Sequence, residues 1–367
     1  MTCRLYAVLT VFAASAAAQP VTRSSDTARV CTGGDVTLGT NLDTSWTRAE
    51  ARRLRAARVG GLLREPDSLV APLRPLFRDA DYILVNVEGA IGEGSAPAKC
   101  GPRSSDCYVM RQPISAARAL RSLSDSGVVI GNVANNHSGD AGNEGFHATV
   151  NHLIAAGVHV IGRDTLAVPV ASAGLDTVAF LGFSTSSGPD PRDLDAVRRH
   201  VARAAGEYAR VVVTMHMGAE GPTAQRTRDT TEMFLGLNRG NPVAFAHTAV
   251  DAGADLVVGH GPHVMRGAEW RGDALIFYSL GNLLTYGPFS VREPSNRAAV
   301  VCVALDADGK VLDARLRSTR QLTAGIVIAD VTNRAAVLLD SLSRLDFPES
   351  SGRVVSEAVI SRPEQRW

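Results

Sequence analysis

Several signatures are missing from this 367-residue chain, and each absence closes off a class of function. There is no Gly-x-x-x-x-Gly-Lys loop, so the backbone cradle of a P-loop nucleotide site is excluded. There is no Gly-x-Ser-x-Gly elbow, which removes the usual setting of a Ser-His-Asp hydrolase on an α/β sheet. The net charge is only +1, and the basic residues, nearly all Arg, are spread along the chain. No basic stripe of the kind that grips a phosphate backbone is present, so no nucleic-acid partner is expected. The densest group, Arg48 to Arg64, has the helical spacing of a solvated face. No internal repeat stands out.

What is present begins with an address. Arg4 precedes an apolar run from Leu5 to Ala14, and Ala16-Ala17-Ala18 offers small residues before Gln19. The run is short for a bilayer span and has the three-part layout of a secretory signal peptide, here residues 1–18. An exported protein, periplasmic or extracellular, is expected. In an oxidising compartment, Cys100 and Cys107 are expected to bridge across the polar loop between them. Cys31 and Cys302 fall in segments read as buried strands; they could pair, but two small buried hydrophobes are the preferred reading.

Along the chain, short apolar runs alternate with helical patterns, which predicts an α/β fold. Strands are expected at 29–34, 82–87, 128–130, 158–161, 211–214, 256–258 and 274–278, with a hairpin near 168–183 and closing strands within 285–330. Helices are expected at 47–59, 66–77, 113–126, 144–156, 193–205 and 242–252. A polar insertion, Gly221 to Gly240, is too long for an ordinary connection and reads as a lid or specificity loop. Its Arg226, Arg228 and Arg239 are candidates for contact with an anionic polymer. Residues 331–367 form a weakly patterned extension with one expected helix, 335–345.

The strands repeatedly end in a turn bearing Asp, Asn, Glu or His. Asp35, Glu88, Asn136 with His137, His216, and His260 with His263 all sit there. In an open α/β sheet such ends share one edge, where ligands bind. Carboxylate, amide and imidazole groups together suit a divalent Mn, Fe or Zn ion. The other five histidines lie away from strand ends and are read as ordinary core or surface residues.

In order, the segments Gly34-Asp35-Val36, Asn86-Val87-Glu88-Gly89, Ala134-Asn135-Asn136-His137 with Asp140 and Gly142, His216-Met217-Gly218-Ala219-Glu220, Gly259-His260 with Pro262-His263-Val264, and Tyr278-Ser279-Leu280-Gly281-Asn282 resemble the motifs of the CapA/PgsA family of capsule and poly-γ-glutamate biosynthesis proteins. The resemblance spans residues 29–284. It implies a metallophosphoesterase-like two-sheet β-sandwich flanked by helices, an α/β/β/α arrangement. It also implies one or two divalent ions held by Asp35, Glu88, Asn136, His216, His260 and His263, with His137 as acid and Glu220 as a candidate base. Asn135, Asp140 and Asn282 would face substrate. The chain departs from the wider pattern at Thr37, Met217 and Gly261, where imidazole or indole side chains are usual. Two functions follow. One is hydrolysis of phosphoester or γ-glutamyl bonds; the other is non-catalytic polymer binding within a membrane-associated capsule synthesis complex.

Overall fold

The computed structural model describes residues 26–39, 52, 65–92, 108–172, 174–175, 177–286, 289–323, 325–355 and 358–362. The expected signal segment, the 47–59 helix and the Cys100–Cys107 pair lie outside these residues.

Two sheets are stacked face to face. The first has seven strands, in the order Ile326–Ala329, Val311–Thr323, Arg297–Leu305, Ala28–Gly33, Tyr82–Asn86, Val128–Asn132, His159–Ile161. The last four run parallel to one another, and the three C-terminal strands join antiparallel. The second has six, in the order Ala268–Arg271, Ala274–Phe277, Leu256–His260, Arg210–His216, Val178–Ser184, Val168–Val170. The expected 168–183 hairpin is its edge pair.

Strand periodicity assigns the faces. Val30, Leu84 and Ile130 point inward and meet Phe180, Val212, Val258 and Phe277 of the opposite sheet. Their neighbours Cys31, Ile83, Val85 and Val129 point outward, beneath helices Ser115–Arg121 and Gly142–Ala155 and the helical segment from Pro66 to Phe77. On the far side, Leu181, Val211, Val213 and Val257 are covered by helices Leu194–Glu207 and Pro242–Asp251. Both helices start where capping residues dictate. The carboxylate of Asp193 accepts from Ala196 N at 2.9 Å, and Asn241 caps the second helix ahead of Pro242. This is the α/β/β/α sandwich that the motifs imply.

The C-terminal extension is more ordered than its sequence suggests. Helix Arg334–Asp346 places Ala335, Ala336 and Leu339 in the core between the sheets. The cysteine expectation needs correcting. Cys31 and Cys302 form a disulfide. Antiparallel pairing of Ala28–Gly33 with Arg297–Leu305 sets the two residues directly opposite, side chains on one face.

Candidate metal centre

Strand ends from both sheets meet at one edge. Asp35 follows the Gly33-Gly34 turn, Asn86 and Asn132 end neighbouring parallel strands in register, and Glu88 lies two residues past Asn86. Across the sandwich, His216 and His260 end adjacent parallel strands and are themselves register partners. A one-residue slip would turn both rings to the opposite face.

Two glycines permit this crowding. A Cβ on Gly34 would stand 1.9 Å from Gly281 O, so only glycine lets Asp35 N donate to that carbonyl at 2.9 Å. Gly261 turns with φ +108°, and a Cβ there would press to 3.2 Å of the His216 ring. The imidazole of His216 therefore needs the glycine at this departure from the wider pattern. His263 follows in the left-handed region (φ +58°), uncommon for a side-chain-bearing residue. Asn282 holds it there, accepting from His263 Nδ1 at 3.0 Å and donating Nδ2 to the His263 carbonyl at 3.3 Å.

A relay of amides frames the first-sheet side. Ala134 N donates to Asn132 Oδ1 and His137 N donates to Asn135 Oδ1, which fixes the orientation of both amides. Asn132 Nδ2 and Asn135 Nδ2 then donate to Asn86 Oδ1, at 3.1 and 3.4 Å. Asn86 must turn its Nδ2 the other way, to Asp35 Oδ1 at 2.8 Å and His216 Nδ1 at 3.2 Å. His216 Nδ1 is thus an acceptor, and the proton of the neutral ring sits on Nε2, facing Glu88 Oε1 at 3.8 Å.

Other polar atoms lack an aligned hydrogen bond. Both Glu88 oxygens, Asp35 Oδ2, His216 Nε2 and both His260 nitrogens are buried in this way, with Asp35 Oδ2 3.0 Å from His263 Nδ1. Each such atom costs on the order of 1–3 kcal/mol. His263 Nε2 lies 3.5 Å from Glu88 Oε1, and His260 Nδ1 lies 3.2 Å from Asp35 Oδ1. Ligand atoms of Asp35, Glu88 and His263 all fall within 4.8 Å of one another. Donors about 2.0–2.2 Å from a shared ion have such separations. The residues fit a divalent ion, with Asp35, Glu88 and His263 as the compact set and His260 beside it. His216 adjoins the set, its Nε2 3.8 Å from Glu88 Oε1 and buried without an aligned hydrogen bond.

Electrostatics agree with a cation-seeking pocket. Burial lifts the Glu88 carboxyl well above the usual carboxylate range, despite the opposing charge of His263. Burial also raises Asp35, but contacts with His260 and His263 outweigh it and hold that carboxyl well below the ordinary range. Desolvation works against protonation of His263; Glu88, Asp35 and Glu220 reverse it and push the imidazole to about 10. His216, fully buried, is driven well down by desolvation. Three carboxyl groups thus crowd one imidazole.

The family described as bacterial capsule synthesis protein PGA_cap matches residues 29–286. The chain belongs to that family. It is similar to the PGA biosynthesis protein CapA of Bacillus subtilis, 26% identical over 235 residues, covering 59% of this chain and 57% of the relative. It is likewise similar to the capsule biosynthesis protein CapA of Bacillus anthracis, 28% identical over 239 residues, covering 59% and 54%. The chain therefore spans little more than half the length of either PGA_cap relative. Among solved structures it is similar to a 5'-nucleotidase precursor from Thermus thermophilus, with TM-score 0.39, 12% identity and coverage of 88% and 59%.

Within this PGA_cap domain, the other expected residues take definite places. His137 Nδ1 lies 2.6 Å from Asp140 Oδ2, an oxygen that also accepts from Met110 N. Asn136 is partly exposed in the same turn. Asn135, Asp140 and Asn282 are buried and bonded to protein neighbours. Glu220 meets Arg239 Nη2 at 2.8 Å and His263 Nε2 at 3.8 Å. Of the insertion's arginines, Arg226 is paired with Asp346 and Arg239 is buried; Arg228 is exposed and has no ion pair among the described residues. Asn86 and Asn132 are the frame residues that sequence reasoning passed over. Asn86 stood inside a quoted motif, and its repeat at the end of the next strand was the available signal.

Proposed function

We propose that this chain is an exported hydrolase of an anionic envelope polymer, cleaving a phosphoester or γ-glutamyl amide bond. It would hold a divalent ion with Asp35, Glu88, His263 and His260. The observation that carries the reading is the buried cluster of Glu88, Asp35 and His260 atoms around His263 that make no aligned hydrogen bond. A divalent ion held there supplies Lewis acidity at the scissile group. The chain's own residues do the rest. Asp140 holds His137 by Nδ1, leaving Nε2 as the atom that carries a proton to a leaving group. Glu220, at the edge of the cluster, is placed to accept one. Asn86, Asn135 and Asn282 hold the reacting side chains still.

Export is supported by the N-terminal pattern and by the Cys31–Cys302 bridge, since structural disulfides persist in oxidising compartments. The family and its relatives favour a setting in capsule or polyglutamate synthesis, and a membrane-associated synthesis complex is the partner proposed with it. The deciding experiment is elemental analysis of the purified protein beside His260→Ala. Near-stoichiometric Mn, Fe or Zn that falls in the variant supports the hydrolase, and phosphoesters and γ-glutamyl peptides are then the substrates to assay. No metal in either, even after incubation with excess Mn²⁺ or Zn²⁺, overturns it in favour of polymer binding without catalysis.

A further inference from the structure

The insertion 221–240 carries two arginine–glutamate pairs built in different ways. Arg266 reaches into the loop and grips Glu232 with two aligned hydrogen bonds, Nη1 to Oε1 at 2.9 Å and Nη2 to Oε2 at 2.7 Å. Glu232 also accepts from Ala219 N at 2.6 Å. That pair is saturated and anchors the loop to the strand end that bears His216. Arg239 and Glu220 are different. Nη2 stands 2.8 Å from Glu220 Oε1, yet neither atom has an aligned hydrogen bond.

Arg239 is nevertheless fixed in place. It is 3% exposed, its Nε donates to Gly218 O at 3.1 Å, and its backbone is bonded in both directions, to Glu232 O and from Gly218 N. A buried guanidinium whose terminal nitrogen meets a carboxylate without an aligned hydrogen bond keeps bonding capacity that a better-placed anion would take up. Glu220 is the shared neighbour: its other oxygen lies 3.8 Å from His263 Nε2. The guanidinium therefore sits one carboxylate away from the candidate metal centre.

We infer that Arg239 is the anion-recognition residue of this site, taking the oxyanion that flanks the scissile bond, with Glu220 as its resident stand-in. The inference deepens the hydrolase reading and rests on it for the identity of the site. A guanidinium fork matches the two oxygens of a carboxylate or phosphate, which an ammonium does not. The ligand chemistry is thus a carboxylate or phosphate group of the polymer unit. The loop that delivers Arg239 lies outside the quoted motifs, so this selectivity belongs to the insertion.

The test is calorimetric titration of the full-length mature protein with inorganic phosphate and, separately, with glutarate. Wild type is compared with Arg239→Lys and Glu220→Gln, with circular dichroism on each and metal content measured in parallel. Wild type is expected to bind one probe, and which one names the source: phosphate for a phosphoester, glutarate for a glutamyl unit. Arg239→Lys should weaken that binding about tenfold or more, because the fork is lost while the charge stays. Glu220→Gln should tighten it several-fold by removing the competing carboxylate. Should Arg239→Lys fail to fold, Glu220→Gln decides alone. Binding of neither probe by wild type, unchanged affinity in Arg239→Lys, or weaker affinity in Glu220→Gln overturns the inference. Failure of the hydrolase reading shows separately, as absent metal in protein whose anion binding still tracks Arg239.

Discussion

The two sides of the candidate centre are made by opposite rules. On the first-sheet side, amides of Asn86, Asn132 and Asn135 bond to one another and to backbone until their orientations are fixed. On the second-sheet side, His260 is buried with both ring nitrogens unbonded, and His263 keeps Nε2 facing carboxylates at distances too long for hydrogen bonds. One side is a frame and the other a set of waiting donors. A frame can be rigid only if it is satisfied, and a ligand set can bind only if it is not.

The sharpest way to break this contrast is Asn86→Ala. It strands Asp35, His216, Asn132 and Asn135 at once in a fully buried place, so a loss of about 3–5 kcal/mol is expected by urea denaturation. A loss under about 1 kcal/mol would show that the relay is not a frame. Next is the bridge behind that frame. Replacing Cys31 and Cys302 together with Ala should cost about 2–4 kcal/mol, read as a fall in the urea midpoint with a steeper slope, because the released unfolded chain exposes more surface.

A third effect lies at the far end of the second sheet. Burial lifts the Asp255 carboxyl to about 7, although it accepts a hydrogen bond from Val211 N at 2.7 Å. A folded-state value above the unfolded one means this residue favours the fold at low pH. That advantage is lost as pH rises from about 4 through about 7. Asp255→Asn should therefore gain on wild type across that interval, by on the order of 2 kcal/mol at pH 8 once partial solvent screening is allowed for. A stability gap between the two that stays flat with pH would refute the assignment. The smallest effect is expected on the donor side. In metal-stripped protein, His260→Ala should change stability by about 1 kcal/mol or less, since no hydrogen bond is lost. A loss comparable to that of Asn86→Ala would erase the distinction.

Much of this was legible in the sequence, for definable reasons. Strand ends carrying Asp35, Glu88, His216, His260 and His263 could be read because apolar runs and polar turns are local signals. The layering was implied by the resemblance of the motifs that carry them. The Cys31–Cys302 bridge could not be read, because antiparallel register between segments 271 residues apart leaves no local trace. The relay was hidden for a related reason: Asn86 and Asn132 become partners only when their strands align. Arg239 lay in a loop whose path no periodicity describes, so its burial at the cluster's rim could not be anticipated.

The order of the strands sets a clock on assembly. In a chain made from its N-terminus, Ala28–Gly33 finds its parallel partner Tyr82–Asn86 early, yet its other edge waits for Arg297–Leu305. Throughout that interval an apolar strand offers unpaired backbone groups to any neighbour, the condition under which chains associate wrongly. The thiol of Cys31 waits with it, since its partner is among the last strands to be made. Exposure of that edge during synthesis is therefore a property of the topology itself, independent of how stable the finished sandwich is.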